Sequence, residues 1–154
     1  MKDDYRALPR RPGFLIRRLH QIHLALFAEE CGDFNVTPVQ YSVMTVLAER
    51  RGLEQLDLAN EVGIDRSTIG DVLTRMERRG LVRRTKSKID RRAWLVHLTA
   101  KGSKLFRAMG EAVQRTHDRT VETLPAGERG DFLRALTHLV EVNNHIGRAS
   151  MRLR

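Results

Sequence analysis

The sequence of 154 residues has a single cysteine, Cys31, and lacks any apolar run of about 18 residues. One cysteine cannot form an internal disulfide, and an unpaired thiol suits a reducing cytoplasm. Without a long apolar run the sequence predicts no membrane-spanning helix. The first residues, MKDDYRALPRRPG, also lack the apolar segment of a secretory signal. We therefore expect a cytoplasmic protein.

The sequence also lacks the motifs of common enzyme classes. It contains no phosphate-binding glycine loop, no recognisable Ser/His/Asp order and no strong metal-ligand spacing. His20 and His23 form only an i, i+3 pair, so regulatory zinc is a minor alternative. We expect no enzymatic activity, no cofactor and no metal site.

Positive charge is what the sequence has in excess. The net charge is +9, and the pI is near 10.7. Residues 65–101 hold 11 basic and 4 acidic side chains, whereas residues 1–64 hold 8 basic and 9 acidic ones. A basic cluster in one segment of a folded protein indicates a polyanion partner, either nucleic acid or, less often, a membrane surface. This segment is therefore the candidate contact surface.

A helix-turn-helix pattern lies in and just before the basic segment. The first short helix has the small residue Ala59 where a second helix would cross it. Gly63, four residues later, supplies the positive φ of a tight turn. Asp65 is a good cap for the second helix, in which Ile69 and Val72 face inward. An ordinary helical hairpin is the alternative, but the spacing together with the charge favours DNA binding.

Two short strands follow the second helix, at 81–85 and 93–98, with a basic turn between them. A hairpin in this position turns a helix-turn-helix into a winged helix. We expect the second helix to enter the major groove and its arginines to read guanine or clamp phosphate. Asp71 is expected to orient a neighbouring arginine, with a bond to cytosine as the alternative. The candidate DNA contacts are Arg66, Ser67, Thr68, Asp71, Thr74, Arg75, Lys86, Lys88, Asp90, Arg91 and Arg92.

Helix signals divide the rest of the chain. Helices are predicted from Pro12 to near Gly32 and from Thr37 to Gly52. Two more follow the wing, one at about 100–123 and one from Pro125 onward.

The pattern DRRAWLVHLTAKG, residues 90–102, resembles the wing of the MarR family of bacterial transcription regulators. Asp90, Arg92, Leu98, Thr99 and Gly102 match the family pattern, and so does RMERRGLVRR at 75–84. The resemblance implies an obligate homodimer. It also implies that Arg92 reaches the minor groove and that Asp90 holds its guanidinium in place. A narrow minor groove concentrates negative potential and favours an inserted arginine.

The resulting prediction is a mainly α fold with a small β-hairpin wing, in a single domain over 1–154. A winged helix-turn-helix at about 37–99 is flanked by N- and C-terminal dimerisation helices at about 12–32 and 100–147. These flanking helices are apolar over more surface than one small domain can cover. A two-fold dimer would read a pseudo-palindrome with half-sites about 10 bp apart.

Members of the MarR family commonly repress transcription and release DNA when a small ligand binds. Many of these ligands are phenolic or aromatic carboxylates, and GFLIRRLHQIHLALFAEE resembles a subgroup that controls aromatic-acid catabolism. The effector is then an aromatic acid or its CoA thioester, bound where the dimerisation helices meet the winged helix. The candidate ligand residues are Arg17, His20, His23, Phe27, Tyr41, Met44, Phe106 and Met109.

Plainer alternatives remain for these residues and for the function. His23 can be an interface histidine, and Met44 and Phe106 can be core. Cys31 lies at the end of the first helix, whereas thiol-sensing relatives carry the reactive cysteine near its start, so a redox-responsive regulator is a lesser alternative. A non-sequence-specific architectural DNA-binding protein, associated with the bacterial nucleoid, is another.

Overall fold

The computed structural model describes residues 5–90, 92–147, 149 and 151. The described chain folds into α-helices and one small antiparallel sheet with the strand order β1-β3-β2. None of its helices is both long enough and apolar enough to cross a membrane. In chain order the elements are α1 (Pro12–Cys31), α2 (Pro38–Glu49), β1 (Leu53–Glu54), α3 (Gln55–Val62), α4 (Arg66–Arg78), β2 (Val82–Lys86), β3 (Trp94–Leu98), α5 (Ala100–Val121) and α6 (Ala126–Asn143).

Local sequence signals set where these helices begin. The Thr37 hydroxyl accepts from the Gln40 N–H at 3.2 Å, and Gln40 Oε1 accepts from the Thr37 N–H at 3.1 Å. This reciprocal pair is a capping box. Asp65 and Thr99 cap α4 and α5 by accepting one backbone N–H each, without the reciprocal bond. Pro125 directly precedes α6, so the predicted starts are confirmed to within one residue.

The turn between α3 and α4 has the geometry of a helix-turn-helix. Gly63 ends α3 with φ of 72°, and the Ile64 N–H donates to the Ala59 carbonyl at 3.1 Å. Ala59 is 1% exposed, because α4 crosses α3 beside its small side chain. Ile69 is fully buried and Val72 half-buried on the inner face of α4. The predicted spacing is confirmed.

The wing is a hairpin of β2 and β3 with a short third strand on its edge. Val82 pairs with Leu98 in an antiparallel register that continues to the turn. The strands predicted at 81–85 and 93–98 each begin one residue before the observed ones. The strand β1, which pairs with β3, was not predicted, since two residues are too few to show an alternating pattern.

Thr99 ties the wing to the start of α5. Its N–H donates to the Leu81 carbonyl at 3.0 Å, and its hydroxyl donates to the carbonyls of Gly80 and Leu81 at 2.6 and 3.1 Å. The same hydroxyl oxygen accepts from the Gly102 N–H at 3.0 Å. Gly102 is buried against the Leu81 carbonyl, so the residue that precedes β2 and the first turn of α5 meet through backbone.

The core lies between α2, α3, α4, the sheet and α5, and the end of α1 adds Phe27 and Cys31, while much of α1 and most of α6 remain uncovered. α1 packs along α5 but leaves Leu15 and Ile22 about half exposed, at 50% and 48%. No residue of α6, all of which the structure describes, is buried. The wide apolar surface predicted for these helices is therefore observed on the single chain. The largest fully buried side chains are Met44, Leu58, Ile69, Leu73, Met76, Leu81 and Met109.

Candidate nucleic-acid interface and ligand cavities

The N-terminal turn of α4 presents a pre-organised polar surface. Asp65 accepts from the hydroxyls of Ser67 and Thr68 at 2.6 Å each, and from the Thr68 N–H at 2.9 Å. These hydrogen bonds, the one from Ser67 foremost, lower the pKa of the Asp65 carboxyl. Arg66 lies exposed on the same turn.

These bonds change what Ser67 and Thr68 can offer to DNA. Both were predicted to reach bases or phosphates, but their hydroxyl hydrogens are already donated to Asp65. A phosphate oxygen needs a donor, so in this arrangement the two hydroxyls present only acceptor lone pairs. Base amino groups, such as those of adenine and cytosine in the major groove, are the donors that fit them.

Asp71 does not pair with a neighbouring arginine among the described residues as expected, and its contact with DNA, with a bond to cytosine as the alternative, stays a prediction. Asp71 is exposed on α4, but no ion pair joins it to an arginine in the part of the chain that the structure describes. Its carboxylate is therefore not the positioning group that we expected. Thr74 is half-buried, and its hydroxyl donates to the Gly70 carbonyl at 2.9 Å, while Arg75 is exposed.

A salt bridge that the sequence did not predict joins the wing to α4, which we call the recognition helix because it is the second helix of the helix-turn-helix. Arg84 on β2 donates from Nε and Nη2 to Glu77 Oε2 at 2.9 and 2.6 Å, and its backbone N–H donates to Oε1 at 2.9 Å. The bonds from Arg84 lower the pKa of Glu77. Two guanidinium N–H groups on one oxygen and a backbone N–H on the other fix the orientation of the carboxylate. This salt bridge holds α4 and the wing strands in one relative position.

The wing tip is a tight turn with exposed cations. Lys86 lies 5.4 Å from the centre of the Trp94 ring, and Lys88 and Arg92 are exposed. The Ser87 hydroxyl oxygen accepts from the backbone N–H groups of Ile89 and Asp90 at the start of the turn. Arg91, also predicted to contact DNA, lies outside the described residues.

The predicted role of Asp90 needs correction. Asp90 Oδ1 accepts from the backbone N–H of Arg92 at 2.9 Å. No salt bridge between this carboxylate and the Arg92 guanidinium occurs among the described residues. Asp90 thus fixes the path of the backbone, and it aims Arg92 only through that path.

The fold brings the wing tip close to the start of the recognition helix. Arg66, Asp90, Arg92 and Trp94 line one groove of about 230 Å³. Arg66 comes from α4, whereas the other three residues follow β2 in the sequence. The groove therefore presents two arginines from different elements on one surface.

The predicted ligand residues do not form one pocket. Met44 and Met109 are fully buried and Phe27 is 5% exposed, so all three belong to the core. Arg17 lies over the Phe14 ring at 5.4 Å from its centre. On the single chain these side chains lie in separate places, because they come from α1, α2 and α5 and face in different directions, so their role in ligand binding stays a prediction.

His20 and His23 line a cavity of about 530 Å³ between α1, α5 and α6, which we call the histidine cavity. His23 stacks on His117 with ring centres 5.4 Å apart, and its Nδ1 lies 2.9 Å from the Thr120 hydroxyl. Burial lowers the pKa of His23, and the neighbouring His117 and His20 lower it further. The rest of the wall is mainly apolar and includes Phe132 of α6.

Two other predicted ligand residues lie elsewhere. Tyr41 and Phe106 contact each other with ring centres 5.2 Å apart, and Phe106 lines a separate cavity of about 520 Å³. Cys31 is 1% exposed, and burial raises the pKa of its thiol. A raised pKa disfavours the reactive thiolate, which speaks against the redox alternative.

Comparison with known proteins gives these features a family. The MarR family model matches residues 36–94, from just before α2 to the first residue of β3. The transcriptional regulator HosA of Escherichia coli O127:H6 is 32% identical over 134 residues, which cover 87% of this chain and 98% of HosA. The chain belongs to the MarR family. As a MarR-family member it is a DNA-binding transcriptional regulator and not an enzyme.

Two further proteins are similar to this MarR-family chain. The homoprotocatechuate degradative operon repressor of Escherichia coli is 34% identical over 107 residues, which cover 70% of each protein. The structure of BpsR from Bordetella bronchiseptica superposes with a TM-score of 0.85 at 26% identity, covering 90% of this chain and 99% of BpsR. The DNA binding of BpsR is regulated by 6-hydroxynicotinic acid.

Proposed function

We propose that this MarR-family regulator is a homodimeric, sequence-specific repressor of an operon for aromatic-acid catabolism in the bacterial cytoplasm. An aromatic carboxylate, or its CoA thioester, releases it from a pseudo-palindromic operator. The observation that carries the proposal is the division of the chain into two unlike surfaces. One is a cationic winged helix, and the other is an uncovered apolar face on α1 and α6.

The apolar face supports the homodimer. Ile16 on α1 and Leu133 and Leu139 on α6 are 57%, 53% and 53% exposed. Several large apolar side chains left exposed on neighbouring helices indicate an association site. A second copy is the occupant proposed for it, because a two-fold axis would pair two winged helices on one duplex.

The winged helix supports binding of each half-site by two elements. The start of α4 would lie in the major groove, with Arg66 reading guanine or holding a phosphate. The wing tip would place Arg92 in the adjacent minor groove of the DNA. Arg66 and Arg92 line one surface groove of the protein, of about 230 Å³, so the two side chains are near enough to contact neighbouring DNA grooves. Lys86 and Lys88 would contact phosphates and supply affinity that does not depend on sequence.

The histidine cavity supports the response to an aromatic acid. Its volume of about 530 Å³ suits a one-ring ligand, its wall is mainly apolar, and its imidazoles could donate hydrogen bonds to a carboxylate held away from Asp118, which also lines the cavity. It lies between α1, α5 and α6, so a bound ligand would act on the same helices that form the proposed dimer. The BpsR and homoprotocatechuate relatives are consistent with effectors of this class.

Fluorescence anisotropy tests the proposal directly. The labelled duplex carries the sequence upstream of the gene for this protein, and a scrambled duplex of equal length and composition is the control at the same salt concentration. We expect the native duplex to bind at least about a thousandfold more tightly, which is the lower end for specific regulators. Equal affinity for both duplexes would instead indicate an architectural DNA-binding protein.

A further inference from the structure

A second cavity, of about 520 Å³, lies between the end of α2, the wing strands and the start of α5. We call it the arginine cavity, because Arg51, Arg83 and Arg107 line it from three different parts of the chain. His97 and Phe106 also line the cavity. The volume falls within the range of small-molecule sites, roughly 300–1,000 Å³.

The charge of this cavity is of one sign. No aspartate or glutamate is among the residues that line it. None of the salt bridges found among the described residues involves Arg51, Arg83 or Arg107. A concave surface that carries only cations concentrates anions from solution. Guanidinium groups bind phosphate through paired N–H donors, so three of them suit an anion with more than one negative charge.

The arginine cavity faces away from the recognition helix. Arg83 pairs across the sheet with His97, and both line the cavity. The next residue, Arg84, points to the opposite face of the sheet, where Glu77 of α4 binds its guanidinium. Successive side chains of a strand alternate between faces. DNA held by α4 therefore lies on the other side of the sheet from Arg83.

Part of the wall is apolar. Leu98 and Phe106 line the cavity beside Thr99 and Ser103. We propose that the arginine cavity is a binding site for a phosphate-bearing small molecule with an apolar body. The phosphate contacts the arginines, and the body packs on Leu98 and Phe106. This site is separate from the histidine cavity, so it does not depend on the proposed response to aromatic acids.

Isothermal titration calorimetry at low ionic strength tests the site with phenyl phosphate as the probe. We expect one site per chain. Arg107→Ala and, as a second variant, Arg83→Ala should each weaken binding by about tenfold or more, because each removes a charge-assisted contact. The matched control is Lys104→Ala, which removes an exposed cation of the same helix that does not line the cavity. Its affinity should stay within about twofold of the wild type.

Two comparison ligands separate the parts of the proposal. Inorganic phosphate lacks the ring and should bind more weakly than phenyl phosphate, and benzoate lacks the second charge and should also bind more weakly. Absence of phenyl phosphate binding, or equal loss in the Lys104→Ala and Arg107→Ala proteins, would overturn the proposal. It would equally be overturned if Arg107→Ala left phenyl phosphate binding intact and lowered the salt dependence of DNA binding. Sequence-specific DNA binding, measured on the same preparations, reports on the proposed repressor function independently.

Discussion

Replacing Gly102 by alanine should destabilise the protein, although alanine is the better helix former. A Cβ at this position of α5 would overlap the Leu81 carbonyl oxygen and lie 2.7 Å from Leu98 Cδ1. The Leu81 carbonyl cannot simply move away, because it accepts from both the N–H and the hydroxyl of Thr99. Relief of the overlap therefore requires that Leu81 and the first turn of α5 separate.

The magnitude follows from three contributions to the free energy of unfolding. Overpacking costs about 1–3 kcal/mol. Weakening the two hydrogen bonds to Leu81 costs about 1 kcal/mol each. The gain from glycine to alanine inside a helix offsets about 1 kcal/mol. We therefore expect Gly102→Ala to lower the free energy of unfolding by about 2–4 kcal/mol.

The control is a second glycine of the same helix. A Cβ at Gly110 would meet nothing within 4 Å, so Gly110→Ala should raise the free energy of unfolding by about 0.5–1 kcal/mol. Urea unfolding followed by circular dichroism, at equal protein concentration, measures both variants. If Gly102→Ala proved as stable as Gly110→Ala, the close contact between Leu81 and α5 would be refuted.

Three further results are expected. Folding lowers the pKa of His23 from its ordinary 6.5, so the unfolded chain binds a proton at this residue more readily than the folded one. The free energy of unfolding is therefore highest above pH 6.5 and falls as the pH drops below it. His23→Asn should therefore flatten the fall in unfolding free energy between about pH 7.5 and about pH 5.5, and an unchanged slope would contradict this. Lys86→Ala and Lys88→Ala should each lower the salt slope of DNA binding by about one unit, and a lysine whose loss leaves the slope unchanged does not contact phosphate. Leu133→Asp places a charge in the proposed dimer interface and should yield monomers in analytical ultracentrifugation. His138→Asp, a change at an exposed polar position of the same helix, should leave the dimer intact. Dimers in both variants would refute the proposed interface.

The parts of the fold that the sequence predicted are encoded by neighbouring residues. A cap and its partner N–H, as at Asp65 and Thr68, are three positions apart. The small residue and the glycine of the turn, Ala59 and Gly63, are four apart. Such short-range patterns are visible in one sequence, and they placed α2, α4 and the wing. The edge strand β1 has no pattern of its own because its pairing with β3 is a tertiary contact.

The candidate sites were less predictable, because their geometry joins distant residues. His23 and Thr120 are 97 positions apart, so neither residue type nor spacing could pair them. The salt bridge of Arg84 with Glu77 is closer in sequence, but several other cations compete for that carboxylate in the same segment. For Asp90 the sequence indicated a bond to Arg92 but not which group of Arg92 donates it, since the choice between a guanidinium and a backbone N–H depends on the turn geometry.

The most direct test of the central claim is the effect of effectors on DNA binding. The Kd for the duplex upstream of the gene would be measured by anisotropy without ligand and with a panel of aromatic carboxylates and their CoA thioesters. We expect one chemical class to weaken binding by at least about tenfold, equivalent to 1.4 kcal/mol of coupling between the sites. An operator affinity that none of these compounds changes would contradict an aromatic-acid-responsive repressor.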